Sequence, residues 1–206
     1  NTVTAGSITG GGEVAISTGT INAGGTSTIT TLTVSGGPAI LNGTGTVLTI
    51  ADDPDGAIQT SGTVTLNGTA FTDITNSGDL TLANPATLSG NLDVTGGTLT
   101  HGANLTVNGD LTLTGTLSSG ANDVTVTGDI TGAGAWTAGA GTVTVGGNFG
   151  ATNFTQAGGT LLLNGTTAAF DPGGPLGSLE LGGLADVTLG AAVTLTGDWT
   201  DNGGTF

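Results

Sequence analysis

Glycine recurs at positions 90, 109, 128 and 147, in successive steps of 19 residues, and other columns keep step with it. Two residues after each glycine stand Leu92, Leu111, Ile130 and Phe149. Seven to nine residues after it stand Leu99, Leu117, Trp136 and Phe154. Each unit closes on an apolar pair: Leu105/Val107, Val124/Val126, Val143/Val145, Leu161/Leu163, then Leu179/Leu181. The residue directly after the glycine is Asn91, Asp110, Asp129 or Asn148. Gly165 and Gly183 continue at steps of 18. Upstream, Gly24, Gly43 and Gly62 are again 19 apart, and Gly6 lies 18 before Gly24; the register is irregular over 62–90. A unit this short cannot bury an apolar face alone, so it must stack on copies of itself.

Within each unit the chain alternates. Runs such as "TVTL", "DLTL", "NLTV", "DVTV" and "SLEL" are bounded by Gly, Asn and Asp, the pattern of half-buried strands. Apolar residues never recur at the three- and four-residue spacing of a helix. The spacing therefore predicts an all-β parallel β-helix, a β-solenoid with coils of 18–19 residues stacked about 4.8 Å apart. Leu, Val and Ile point inward, and Thr, a good polar strand former, points out. One such segment spans 1–206. It starts at Asn1 without a Met and stops at Phe206 in mid-pattern, as expected of part of a longer chain or polymer. The alternative architecture is an antiparallel β-sandwich fibre subunit, which also places strands every 8–12 residues.

Composition sets limits on partners. The chain has no Lys or Arg, 15 Asp and Glu, one His and a formal net charge of −15. Nucleic acid and anionic membranes both need basic side chains opposite phosphate, so neither is expected as a partner. No apolar run approaches the 18 residues of a membrane span, so membrane insertion is not expected either. Trypsin has no site to cut.

The segments "AWTAGAGTVTVGGNF" (135–149) and "LGSLELGGLADVTLGAAVTLTGDW" (176–199) resemble the Gly/Thr/Asn-rich repeats of large bacterial surface proteins, the filamentous-haemagglutinin-like and autotransporter-adhesin-like passenger regions. The resemblance implies a right-handed parallel β-helix, export to the cell surface and a stalk, adhesive or fibre role.

Candidate sites are few. His101, in "TLTHGAN", is the sole imidazole, and stepping by 19 sets Gly120 and Gly139 opposite it. No chemistry recurs there, and Asp93 and Asp110 each lie about half a coil away. A general base needs an orienting carboxylate and a nucleophile within reach, so His101 is expected to be a solvated corner of the scaffold. "ADDPDGA" gathers Asp52, Asp53 and Asp55, the candidate calcium ligands, since hard cations want several carboxylate oxygens. Turn chemistry before Gly56 explains the same residues, as it does Asp198 and Asp201 in "GDWTDNGG". In the column after the glycine, Asp110 and Asp129 would lie about 5 Å apart, a repulsion of roughly 0.8 kcal/mol in water. The column Thr106, Thr125, Thr144 could match a crystal lattice such as ice, but its neighbour two residues on reads Asn108, Thr127, Gly146, so ordinary strand surface is expected.

These observations rank three functions. The first is a structural extracellular fibre or stalk, not an enzyme, that assembles end to end with copies of itself around a bacterial cell. The second is an adhesin that binds cell-surface glycans or a host or biofilm surface. The third is a glycan-active β-helix enzyme built on paired carboxylates. No cofactor is expected beyond calcium at the acidic loop.

Overall fold

The computed structural model describes residues 71, 73–76 and 78–205 with their side chains and, between 2 and 70, the strands. Among the described residues every strand pairing is parallel; the chain passes in turn through three long sheets, and Ser27–Ile29 with Leu48–Ile50 and Thr166–Phe170 with Asp186–Leu189 form two further two-stranded sheets. One coil shows the plan: Leu92–Val94 lies on the first face, Thr98–His101 on the second and Leu105–Val107 on the third. The first and third faces hold eight strands each, and the second holds nine. The chain is a parallel β-solenoid. The antiparallel sandwich is excluded, because no described strand runs against its neighbour.

The sequence columns are the stacking columns. Leu92 pairs with Leu111, Leu111 with Ile130, and Ile130 with Phe149 up the first face. Leu99, Leu117, Trp136 and Phe154 stack on the second. On the third, Leu105, Val124, Val143, Leu161 and Leu179 follow one another and lead to Trp199. Leu92–Val94, Leu111–Leu113, Val124–Val126 and Ser178–Leu181 show the buried–half-exposed alternation that a period of two dictates. Each buried aliphatic side chain removed from water stabilises the stack by about 1.5–3 kcal/mol.

Ring packing is concentrated over 136–170. Trp136 meets Phe154 edge-on at 5.0 Å between ring centroids, Phe154 meets Phe149 at 5.3 Å, and Phe149 meets Phe170 at 5.5 Å. Edge-to-face pairs add about 0.5–1.5 kcal/mol each beyond burial.

Coil length is uniform only in the middle. Between Leu92 and Phe149 most steps are 19 residues, whereas Ile74 stands opposite Ile58, a step of 16. Upstream, Gly24 stands opposite Thr44 rather than Gly43, and Leu41 opposite Leu66, a step of 25. Strands stay paired while the connections between them absorb the difference. A glycine count along the sequence cannot separate the two.

Candidate functional site

The column after the glycines builds a ladder. Asp110 N–H donates to Asn91 Oδ1 at 2.9 Å, Asp129 N–H to Asp110 Oδ1 at 2.8 Å, and Asn148 N–H to Asp129 Oδ1 at 2.7 Å. Below, Asn91 N–H donates to Asp73 Oδ1; above, Ala168 N–H donates to Asn148 Oδ1 at 3.2 Å. Each side chain thus satisfies a corner N–H of the next coil, where the ladder between strands is interrupted. The carboxylates of Asp110 and Asp129 sit on donors, which offsets their mutual repulsion. The glycines follow from the same geometry: a Cβ on Gly109, Gly128 or Gly147 would overlap the Oδ1 of Asn91, Asp110 or Asp129. Space, rather than backbone conformation, requires glycine here.

A second ladder precedes the third face. Asp123 N–H donates to Asn104 Oδ1 at 3.1 Å and Thr142 N–H to Asp123 Oδ1 at 2.8 Å. Sequence reasoning missed it, although the signal was present: Asn104 and Asp123 each stand immediately before their coil's closing apolar pair.

His101 is where expectation and structure part. It is 2% exposed and ends the strand Thr98–His101, so it is a core residue rather than a solvated corner. The step from its strand to the next is 18, with Leu99 opposite Leu117, and this aligns His101 with Ser119 instead of Gly120. Gly120, at φ 54°, lies at a register shift, standing opposite Ala138 where Ser118 stands opposite Thr137; with that extra residue the third face, Leu105 opposite Val124, keeps the 19-residue step. The resulting inward column holds Leu82, His101, Ser119, Ala138 and Gln156, all buried. It is a polar seam in the core, and Asn76 and Thr167 are the other buried polar side chains among the described residues.

The seam is nearly satisfied. Trp136 Nε1–H donates to Ser119 Oγ at 2.8 Å, and Asn122 Nδ2 donates to the carbonyls of His101 at 3.0 Å and Ser119 at 3.2 Å. Gln156 Nε2 donates to Gly141 O at 3.0 Å. His101 Nδ1 lies 2.7 Å from Ala103 O, and a carbonyl only accepts, so Nδ1 carries the proton. Nε2 is then a bare lone pair, buried without a partner, as is Gln156 Oε1. Burial pushes the His101 pKa below its usual 6.5, and the hydrogen bond to Ala103 only partly opposes this.

The remaining candidates resolve as follows. Asp52, Asp53 and Asp55 lie outside the described residues, and among the described residues no cluster of three or more His, Cys, Asp or Glu could hold a metal. Asp201 Oδ1 accepts the N–H groups of Gly203 and Gly204, each at 2.9 Å, which is turn chemistry. Thr106, Thr125 and Thr144 do stack in register on the third face, continued downward by Thr87 and upward by Leu162 and Glu180. No described helix is long and apolar enough to cross a membrane.

At the C-terminal end the core opens. Trp199 continues the third-face column but is 43% exposed, Leu189 is 44% exposed and Leu184 86%. Leu179, Leu189, Val193, Leu195 and Trp199 line a groove of about 200 Å³. Trp199–Asp201 is the terminal strand of its sheet, paired with Ser178–Leu181 alone.

Fold and ladders together define a parallel β-solenoid whose coils cap one another through Asn and Asp side chains. Compared with known proteins, the chain matches no family model, no curated protein sequence and no solved structure.

Proposed function

We propose that this chain is a structural rod segment that works outside the cell and extends end to end, a further coil of the same kind, from a second copy, covering the groove around Trp199. The observation that carries the reading is the open groove around Trp199: inward-type residues stand there in register with a buried column, in and beside the terminal strand of its sheet. A parallel strand with alternating apolar residues would extend the sheet and cover the groove. Thr2–Ala5 and Glu13–Ile16 are strands of that kind, and among the described residues they stand at the edges of their sheets. The lack of Lys and Arg suits an extracellular setting, since trypsin-like proteases find no site. The resemblance to bacterial surface-protein repeats supports the same role and the same location.

Sedimentation and electron microscopy over a range of chain concentrations test it. Assembly into rods that lengthen with concentration is expected, and Leu195→Asp, which places a charge in the groove, should leave monomers. A chain that stays monomeric at all concentrations, or a Leu195→Asp chain that assembles as well as the parent, contradicts end-to-end extension.

A further inference from the structure

We propose that His101 makes its coil an acid-triggered opening point in the rod. The geometry is the argument. The imidazole is 2% exposed, its Nδ1–H is committed to Ala103 O, and its Nε2 faces the core with no partner. A proton can add only at Nε2, where it creates a cation and an N–H donor in a packed interior. Such a group is stable only when paired or hydrated.

No compensating charge faces it. The strand before, Asp79–Leu82, contributes Asp79, and the strand after, Thr116–Gly120, contributes none. Across the coil, Leu92–Val94 contributes Asp93, Leu105–Val107 none, and the turn before Val124 contributes Asp123. Asp79 and Asp123 are exposed and Asp93 is half-buried at an outward position of its strand. Two of these carboxylates already accept backbone donors, Asp79 from Thr98 and Asp123 from Thr142. To hydrate the imidazolium the second face must part around 98–101. With no Lys or Arg in the chain, His101 is the sole side chain able to become a cation.

Linkage fixes the direction. Unfolded, the imidazole takes up its proton near its ordinary pKa of about 6.5; folded, it does so lower. Between those values the unfolded chain binds more protons, so stability is complete above about 6.5 and falls as pH drops through the window. The folding constant falls by up to about tenfold per pH unit there.

The test compares the urea midpoint of the full chain with those of His101→Gln and His101→Leu between pH 7.5 and 5. Gln and Leu already occupy this column at Gln156 and Leu82. Repulsion among the acidic residues is common to all three chains, so the difference isolates the imidazole. The parent is expected to lose stability on acidification relative to both variants; identical pH slopes overturn the proposal. Should a variant fail to fold, nitrogen NMR of the single imidazole in the parent decides. It is expected to show Nδ1 protonated and Nε2 bare, and to take up its second proton below the ordinary imidazole range; an ordinary titration in the folded chain contradicts it. Hydrogen exchange of the parent at pH 5, corrected for intrinsic rates, should show protection lost at 79–82, 98–101 and 116–120 before 142–163. Uniform loss along the rod rules out a local opening point.

Discussion

Trp136 and Trp199 both stand at inward positions of stacked columns, yet one is 1% exposed and the other 43%. Trp136 has Leu117 below it and Phe154 above, with its indole N–H on Ser119. Trp199 has Leu179 below it and lies in the terminal strand of its sheet. Local sequence is similar: each tryptophan sits in a short strand-like run after a glycine corner. In a solenoid, then, burial is supplied by the neighbouring coil rather than by a residue's own. The middle of the rod and its C-terminal end are built from the same kind of coil and differ in whether the next one is in place.

The largest expected effect separates those two positions. Trp136→Ala should cost about 3–5 kcal/mol in urea denaturation, the range for emptying a large aromatic site in a packed core. Trp199→Ala in the unassembled chain should cost less than about 1 kcal/mol. Equal losses would break the comparison.

Next comes the ladder that joins the middle coils. Gly128→Ala forces a methyl group against Asp110 Oδ1 and the Gly109 carbonyl, and should destabilise by about 1–3 kcal/mol. Asp110→Ala removes the acceptor of Asp129 N–H and should cost about 1–2 kcal/mol. Asp110→Asn keeps the acceptor without the charge, as Asn91 and Asn148 do, and should fall within about 0.5 kcal/mol of the parent. A large loss in Asp110→Asn would mean that charge, rather than the acceptor, holds the coils in register. The one change expected to stabilise lies at the join between the two regions. Ala169 has φ 55°, in a register shift between Thr166–Phe170 and Asp186–Leu189, a conformation that costs a side-chain-bearing residue about 1 kcal/mol. Ala169→Gly should raise stability by about 0.5–1 kcal/mol, seen as a later thermal midpoint.

Much of the fold was legible because two periods coexist in the sequence. Alternation over Leu105–Val107 or Val124–Val126 marks a strand with one buried face, and the 19-residue return of such pairs marks parallel stacking. Chemistry at the corners was harder to read. The Asn/Asp column was visible, but its partner is a backbone N–H one coil away, which no sequence position names. His101 was misplaced for a related reason. Glycine alignment assumes a constant step, whereas its strand advances by 18 and Gly120 repays the difference. One residue of slip moves a side chain to the opposite face, and that is how a corner residue on paper becomes a core residue in the rod. The groove at Trp199 was illegible in principle, since its inward pattern is the same whether or not another coil covers it.

The central claim is that a further coil covers that groove, and single-tryptophan chains test it most directly. Trp136→Phe leaves Trp199 as the only indole, and Trp199→Phe leaves Trp136. With rising concentration, acrylamide quenching of Trp199 should fall and its emission should shift to shorter wavelength as rods form, while Trp136 stays unchanged throughout. Rods in which Trp199 remains as quenchable as in the monomer would contradict the account.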